Sequence, residues 1–427
     1  APPSGSVVAT GDGAFVFTPT QAARDLARQS EGPDAASFTI TVRDAQYVTN
    51  VDVTVPVTPS PAVGVFDIDS TSIPAGGSPT GPVLVGDRLY VVSEDGFVQV
   101  VDRATNTVVG APIAVDWASS NIAAAPAVDR VYVNSPWAGT ISVIDTTTGT
   151  VVDTIWVDPS PDYQGWTLAQ ELIVSADGTR LYASGEDGTV SVIDTATNDV
   201  ITSQSLGYFT DLAVSEDGSR LYGTSGATVS VIDTASLTTT AEITVGPEWD
   251  LTRSSSEFTD VTSSVAVNAD GTRAYVTYHV NTVELASGGY SNGWFITDSS
   301  GRLWRVTGGY EVVTVVDVDP SSTTYGTQLA TARLPEGAQD VAISADGDLL
   351  YVSGADGRTV SVLDTATCTV LGTFMTDPDG STSGAYGPYR FLLVDPDTGT
   401  LYVTDYTDGT VYAVAGAPGG VPAAVLT

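Results

Sequence analysis

One ten-residue stretch, GTVSVIDTAT at residues 188–197, is repeated in nearly the same form at four other places in this sequence. The near-copies are FVQVVDRAT at 97–105, GTISVIDTTT at 139–148, TVSVIDTAS at 228–236 and TVSVLDTAT at 359–367. Each copy is rich in Val, Ile, Ser and Thr and alternates as a half-buried β-strand does. The Asp that follows can hydrogen-bond the backbone two residues ahead, so each copy predicts a strand that ends in a tight turn.

The spacing of a tyrosine counts the repeats. A complete unit, residues 211–245, contains four strand-like segments, LAVS, RLYGT, TVSVID and TTTAEITV. The tyrosine of the second segment recurs seven times, mostly at intervals of 40 to 53 residues, as Tyr90, Tyr132, Tyr182, Tyr222, Tyr275, Tyr351 and Tyr402. Four strands in about 40 to 50 residues are typical of propeller blades. We therefore predict an all-β fold with seven four-stranded blades; six or eight blades, or a sandwich of hairpins, are the alternatives.

The strands LYVTD at 401–405 and AYVTY at 274–278 resemble the motif of the YVTN family of seven-bladed β-propellers. The resemblance covers residues 62–420, and its seventh repeat departs from the pattern by reading VYAVAG. The stretch AVGVFDIDSTSIPAGG, residues 62–77, looks like an orphan outer strand. We expect it to complete the seventh blade, because this closes the ring without an exposed edge.

The fifth repeat carries an insertion between His279 and Glu311. Within it, WFITDSSGRLWRV at 294–306 has two apolar segments around a Ser-Ser-Gly turn and predicts a β-hairpin. Trp294 and Trp304 flank that turn, so we expect them to meet as a cross-strand pair. An insertion of this length suggests a functional excursion over one face of the propeller; the alternative is a simple extension of the blade.

Residues 1–58 read as a separate unit, joined to the propeller (59–427) by a Pro-containing linker. The segments GDGAFVFTP at 11–19 and FTITVRD at 38–44 resemble the Ig-like or cadherin-like VCBS repeats of large secreted bacterial surface proteins. The resemblance implies a small, partial β-sandwich-like segment and a secreted or cell-surface location. No signal peptide is visible, and the opening APPSGSVVATGDG reads like the middle of a longer polypeptide.

Charge and composition exclude several classes of function. The chain of 427 residues has 51 acidic and 15 basic residues, a net charge of −36. This balance disfavours nucleic acid and anionic membranes as partners, since both need clustered Lys and Arg. Cys368 and His279 are the only residues of their kinds, which excludes an intramolecular disulfide and any multi-histidine metal site. No apolar run reaches the roughly 18 residues that a membrane span needs.

Aromatic residues mark the face of the propeller on which the loops vary. The first-to-second and third-to-fourth turns of the repeats are short and alike, whereas the other loops differ in length and content. Functional residues concentrate on such loops. Flat rings beside acids suit sugars, and they also serve as protein-binding anchors; packing between blades is the alternative. The candidate binding residues are Trp117, Trp137, Trp166, Trp249, Tyr278, Trp294, Trp304, Tyr389 and Tyr406.

Paired acids suggest one metal site and no clear catalytic site. Asp377 and Asp379 alternate as hard-cation ligands do, so they are the candidate calcium ligands; we expect no other cofactor. Asp395 and Asp397 fit a strand turn better. No motif identifies a nucleophile or a proton shuttle. We therefore expect a non-enzymatic binding or adhesion module that contacts a glycan or a surface protein. The alternatives are an extracellular hydrolase or lyase of polysaccharide or lactone, with a carboxylate or metal site in the channel, and a structural spacer.

Overall fold

The computed structural model describes side chains for residues 70–157, 171–185, 187–246, 264–283, 309–334, 336–355, 357–376 and 391–414. Outside these ranges it describes only the backbone of strands. Near the N-terminus these strands are β1 (Gly5–Ala9), β2 (Phe15–Pro19), β3 (Ala35–Arg43), β4 (Val48–Pro56), β5 (Gly64–Val65) and β6 (Asp69–Pro74). β1 pairs with β2, and β3 pairs with β4, both antiparallel.

Seven sheets of four strands follow one another along the chain. Blade 1 contains β7 (Pro79–Val85), β8 (Arg88–Ser93), β9 (Phe97–Asp102) and β10 (Thr107–Val108), and β11 (Ile113–Ala114) also pairs with β9. Blade 2 contains β12 (Ile122–Ala125), β13 (Arg130–Ser135), β14 (Thr140–Asp145) and β15 (Thr150–Trp156). Blade 3 contains β16 (Ala169–Val174), β17 (Arg180–Gly185), β18 (Thr189–Asp194) and β19 (Val200–Ser205). Blade 4 contains β20 (Asp211–Val214), β21 (Arg220–Ser225), β22 (Thr228–Asp233) and β23 (Thr238–Thr244).

The last three blades each contain more than a simple repeat. Blade 5 contains β24 (Ser255–Val267), β25 (Arg273–Leu285), β27 (Leu303–Asp317) and β28 (Gln328–Leu334), and the short β26 (Phe295–Thr297) pairs with β27. Blade 6 contains β29 (Val341–Ile343), β30 (Leu349–Ser353), β31 (Thr359–Asp364) and β32 (Val370–Met375), with β5 added in parallel to β32. Blade 7 contains β33 (Leu392–Val394), β34 (Leu401–Asp405), β35 (Thr410–Ala415) and β6. β36 (Ala424–Leu426) pairs with β2.

The first strands of the seven blades contact one another in a closed circle, from β7 through β12, β16, β20, β24, β29 and β33 back to β7. These strands therefore surround the central axis, as in other propellers. The predicted all-β, seven-bladed fold is confirmed. The prediction that residues 62–77 close the ring is also confirmed, because β6 pairs with β35 from Asp69↔Ala415 to Pro74↔Thr410. The pairing of β5 with blade 6 was not predicted.

A hydrophobic cluster fills each of the seven spaces between neighbouring blades. Between blades 7 and 1, for example, Ile73 and Tyr402 pack with Leu89. The repeated tyrosine is buried in every blade. The Tyr132 hydroxyl donates to the carbonyl of Thr195 in blade 3 at 3.1 Å, and Tyr90 reaches the carbonyl of Thr146 in blade 2 at 3.4 Å. The repetition of strand and Asp-Thr turn therefore serves the contact with the preceding blade.

The recurring sequence is the third strand of a blade and its following turn, as predicted. Asp145 Oδ1, for instance, accepts hydrogen bonds from the backbone N–H groups of Thr147 and Thr148. The equivalent carboxylates also accept from nearby backbone N–H groups; they are Asp102, Asp194, Asp233, Asp317 and Asp364. Asp145 also accepts a hydrogen bond from the Thr147 hydroxyl. This bond is the largest cause that lowers the pKa of Asp145 to about 2, and the bonds from the two backbone N–H groups lower it further.

The insertion of the fifth repeat continues the blade as a sheet. β24, β25 and β27 are 13, 13 and 15 residues long, and their pairing extends to Ser255↔Glu284 and Leu285↔Trp304. The predicted hairpin is present as β26 and β27. Its register differs from our expectation, since Trp304 lies opposite Ile296 and not opposite Trp294. The simple extension of the blade is therefore the interpretation that the strand pairing supports.

The two helices of the described residues are short 3₁₀ turns, Pro126–Val128 and Pro136–Ala138. No helix in the described part of the chain is long and apolar enough to cross a membrane.

Candidate functional site

The antiparallel order of each blade defines two faces of the ring. The loops between second and third strands and the connections between blades lie on one face, which we call the variable face. The first strand of each blade begins at this face. Blade 5 projects from it, because its first strand, β24, is 13 residues long, whereas the first strands of the other blades have at most seven residues.

Trp117 lies on the variable face, in the connection from blade 1 to blade 2. The backbone around it is fixed on both sides. Ala118 adopts a left-handed φ of 59° and donates its N–H to the carbonyl of Glu94 at 2.9 Å. The Thr140 hydroxyl donates to Asp116 Oδ2 at 2.7 Å. A Cβ at Gly96 would lie 3.3 Å from the Trp117 Cα, so glycine allows this connection to approach the neighbouring turn.

Trp137 lies on the same face, in the loop between β13 and β14. It occupies the middle of the 3₁₀ turn Pro136–Ala138, which starts with a buried proline. Gly139 ends the turn with a left-handed φ of 66° and donates its N–H to the carbonyl of Ser135 at 3.0 Å. Proline and glycine thus hold the tryptophan in a turn that loses little conformational entropy on binding a ligand.

The two tryptophans contact each other and remain open to solvent. Their ring centroids are 5.8 Å apart and the ring planes are tilted by 51°. Trp117 is 66% exposed and Trp137 is 60% exposed. The alternative interpretation, that these rings pack between blades, therefore does not hold for this pair. Large exposed aromatic residues that are held in fixed positions are typical of binding surfaces.

Two other candidate residues have structural contacts. Tyr278 is only 2% exposed and packs in the cluster between blades 4 and 5, so it presents no ring to a ligand. Tyr406 is half-buried, and its hydroxyl donates to Glu94 Oε2, which joins blade 7 to blade 1. This hydrogen bond is the main cause of the raised pKa of Tyr406.

The side chains of the remaining candidate residues lie outside the described part of the chain. Trp304 lies in β27, and its side chain is outside the described residues. The others lie outside the described residues altogether; they are Trp166, Trp249, Trp294, Tyr389, Asp377 and Asp379. Among the side chains that the structure does describe, no three of the types His, Cys, Asp and Glu are grouped closely enough to hold a metal ion.

A second group of polar residues lies where the first strands begin, at the variable-face end of the central channel. Five consecutive blades contribute one residue each, and we call this set the channel ring: Asn121, Glu171, Asp211, Ser264 and Asp340. All five precede or begin the apolar part of the first strand of their blade. The ring connects blade to blade, because Asn121, Asp211 and Asp340 each accept a hydrogen bond from a backbone N–H of the next first strand.

Asp211 and Asp340 receive hydrogen bonds from several directions. The N–H of Val265 donates to Asp211 Oδ2 at 2.8 Å, and the N–H of Leu392 donates to Asp340 Oδ2 at 2.7 Å. The Ser264 hydroxyl lies 2.8 Å from Asp211 Oδ2 and 2.9 Å from Asp340 Oδ1. A hydroxyl has only one proton to donate. If one carboxyl is protonated, it can donate to Ser264 while Ser264 donates to the other.

The surroundings of these acids favour protonation. Burial is the largest cause and raises the pKa of Asp211 to about 7, with the charge of Asp340 as the second cause. Burial also raises the pKa of Asp340, despite the hydrogen bonds from Leu392 and Ser264. The pKa of Glu171 is raised well above its usual value, first by burial and then by the charges of Asp211 and Asp340. The side chains retain partial solvent access along the channel.

The channel ring was missed in the sequence although a signal was present. DLAV at Asp211–Val214 and DVAI at 340–343 both start with an acid at the same place in the repeat. That position is at the start of the first strand, beside the channel. An acid there is not part of a turn, so it needs another explanation. Asp211 and Asp340 were not predicted as a site, because most other Asp residues of the repeats have a structural role in turns. Glu171 and Ser264 are not aspartates, so the sequence does not group them with Asp211 and Asp340. The group is recognised only when the first strands of the blades are compared in the structure.

No protein-family model and no curated protein matches this chain. Solved structures of similar shape exist. The chain is 19% identical to Kuenenia stuttgartiensis hydrazine synthase, with a TM-score of 0.58 over 83% of this chain and 97% of that chain. It is 10% identical to the Cps50 (Swd1) β-propeller domain of Myceliophteria thermophila, with a TM-score of 0.55 over 82% of this chain and all of that domain. At such identities these similarities concern the fold alone.

Proposed function

We propose that this chain is a non-enzymatic binding module that contacts a glycan through the variable face of its propeller. The observation that supports this most is the exposed, fixed pair Trp117 and Trp137. The C–H faces of sugars stack on such rings, and the exposed Asp116 beside the pair offers a carboxylate to sugar hydroxyls. The resemblance of residues 1–58 to VCBS repeats and of the blades to YVTN propellers supports a place in a secreted or cell-surface bacterial protein.

The geometry of the pair favours a particular form of glycan. Two rings tilted by 51° cannot both lie flat on one crystalline surface. They can each stack on a different residue of a chain that twists, which favours a soluble or amorphous polysaccharide over a crystalline one. A surface protein is the alternative ligand, since aromatic pairs also anchor protein interfaces.

We expect Trp117→Ala and Trp137→Ala each to weaken retention on amorphous polysaccharide by about tenfold or more, as the loss of a ring contact of about 1.5 kcal/mol predicts. Leu329→Ala is the control: Leu329 is 43% exposed at the start of β28 in blade 5, at the end of the blade opposite the variable face. Affinity electrophoresis in gels containing cell-wall polysaccharides measures this effect. Equal weakening by all three substitutions, or retention only on surface-protein extracts, would rule out the glycan proposal.

One observation favours the enzymatic alternative. Glu171 has a raised pKa in the channel, a property that general acids share. Asp211 and Asp340 suit catalysis less, because backbone N–H groups occupy their oxygens. If the channel hydrolyses polysaccharide or lactone, Glu171→Gln should abolish product release without loss of fold, whereas Trp117→Ala should reduce only substrate affinity. No release by the unaltered protein over a range of such substrates would remove this alternative.

A further inference from the structure

The outer strands of blades 2 to 6 share an irregularity. In each, the register with the third strand skips one residue, which forms a β-bulge at the same place. The bulged residues are Val152, Ile201, Thr240, Leu329 and Leu371. Four of them are exposed, and Leu371 alone is buried. Blade 6, which contains Leu371, is also the blade whose outer edge carries the added strand β5.

Charge distinguishes the outer strands further. Those of blades 2, 4 and 5 contain Asp153, Glu242 and Arg333, respectively. Charged side chains on an edge strand hinder the addition of another strand. The outer strands of blades 3 and 6, VITSQS (β19) and VLGTFM (β32), contain no charge. In blade 6, β5 pairs with two residues of the uncharged edge, Gly372 and Thr373.

Among the outer strands of blades 2 to 6, β19 is the uncharged edge on which the structure describes no added strand. All six of its residues are exposed, and Ile201 is 50% exposed. In blades 2 and 6, the residue opposite the second residue of the third strand is buried and apolar, Ile155 or Phe374. The equivalent residue of β19 is the exposed, polar Gln204. The outward N–H and C=O groups of such a strand are a template for pairing.

We propose that β19 is a docking site for an extended, uncharged segment of a partner polypeptide, which adds to blade 3 as β5 adds to blade 6. In this mode backbone hydrogen bonds between the two strands provide affinity, as in the parallel pairing of β5 with β32. A second copy of the chain does not fit as well. Six edge residues offer much less than the roughly 1,000 Å² that a stable protein interface needs, and two chains of net charge −36 repel each other.

The test uses the whole chain and the peptide acetyl-AVGVF-amide, which has the sequence of residues 62–66. Hydrogen exchange measured by mass spectrometry should show slower exchange in β19 when the peptide is present at millimolar concentration. The peptide acetyl-AVPVF-amide, in which proline removes a central N–H, should have at least tenfold weaker effect.

Ile201→Lys should abolish the protection of β19, because it places a charge on the edge. Val152→Lys is the matched control, since Val152 is the equivalent bulged residue of blade 2 and is 49% exposed. It should leave binding unchanged. Protection of other outer strands instead of β19, equal effects of both substitutions, or no protection at the solubility limit of the peptide would overturn the proposal. So would sedimentation that shows a dimer which Ile201→Lys disrupts, because the occupant would then be a second copy.

Discussion

Replacing Asp395 by alanine is expected to destabilise the propeller by about 3–5 kcal/mol, the typical loss when one partner of a buried ion pair is removed. Asp395 is fully buried in the turn after β33 of blade 7, and the Arg103 side chain of blade 1 is 14% exposed. Arg103 Nε and Nη2 donate to both carboxylate oxygens of Asp395, each at 2.5 Å. Without Asp395, the guanidinium would be left nearly buried and without its main counter-charge.

This ion pair lies at the junction where the ring closes. At three other junctions a side chain of the channel ring accepts a hydrogen bond from the backbone of the next first strand, whereas the equivalent positions at this junction are Phe391 and Pro82. Proline has no N–H to donate. Two of the described polar contacts that join blade 7 to blade 1 are the ion pair of Arg103 and the hydrogen bond of Tyr406. The loss of Asp395 therefore removes one of the described polar contacts across this junction.

Asp397→Ala is the control for this prediction. Asp397 binds the same guanidinium at 2.8 Å but is 76% exposed, so its loss should cost less than about 1 kcal/mol. Urea unfolding followed by tryptophan fluorescence gives both values. The double substitution of Arg103 and Asp395 by alanine should cost less than the sum of the single ones. If Asp395→Ala costs no more than Asp397→Ala, the pair does not stabilise the junction.

The second large effect concerns pH. The pKa of Asp211 is about 7 in the folded protein against a usual value of 3.8. The folded protein therefore keeps a proton that the unfolded chain releases, and its stability falls as pH rises from about 4 to about 7. Three pKa units correspond to at most about 4 kcal/mol for this one group. The raised pKa values of Glu171 and Asp340 add a loss of the same sign.

Other aspartates produce the opposite trend at lower pH. Asp145 and Asp217 have pKa values lowered to about 2, so the stability that they contribute is lost as pH falls below about 4. We therefore expect a maximum of stability near pH 4, well below neutrality. Thermal unfolding of the whole chain from pH 3 to pH 8 measures the profile.

Asp211→Asn tests the origin of the slope. Asparagine has no charge to bury, so the fall in stability between pH 4 and pH 7 should become much smaller. The variant should be less stable than the original at pH 4.5, since the amide has only one acceptor oxygen for the N–H groups of Leu212 and Val265. It should equal or exceed the original at pH 8. Asp217→Asn should leave the slope between pH 4 and pH 7 unchanged; an unchanged slope in Asp211→Asn would contradict our assignment.

The blades were predictable because each repeat encodes its own strands and turns. The alternation in TVSVID and the aspartate that follows it are local patterns that predict a strand and its turn. The spacing of Tyr132 and its equivalents then gives the number of blades, and therefore the ring. The closing strand β6 was predictable for a related reason, since an all-β ring leaves one blade short of a strand. β5 was not, because a two-residue parallel pairing leaves no pattern in the sequence.

The candidate site was predictable only in part. The sequence placed Trp117 and Trp137 on variable loops, but their contact depends on how two loops from different blades meet in space. Tyr278 ends the predicted strand AYVTY, where its ring was expected to reach the variable face, but β25 continues for seven residues beyond it and the ring is buried. The channel ring depends on contacts between residues at least 50 positions apart, such as Asn121 with Glu171, and no local pattern reports those.

The closing pair of strands determines how the propeller responds to tension. The chain enters blade 7 at Asp69 and leaves it at Ala415, and these two residues face each other at one end of the β6–β35 pairing. A force that pulls the flanking segments apart would therefore load one residue pair at a time, from Asp69 toward Pro74, as in a zip. Pairs loaded in sequence separate at lower force than pairs sheared together. Under traction on the flanking segments the ring would open at blade 7 first, which makes the β6–β35 pairing the mechanically weakest part of the closure.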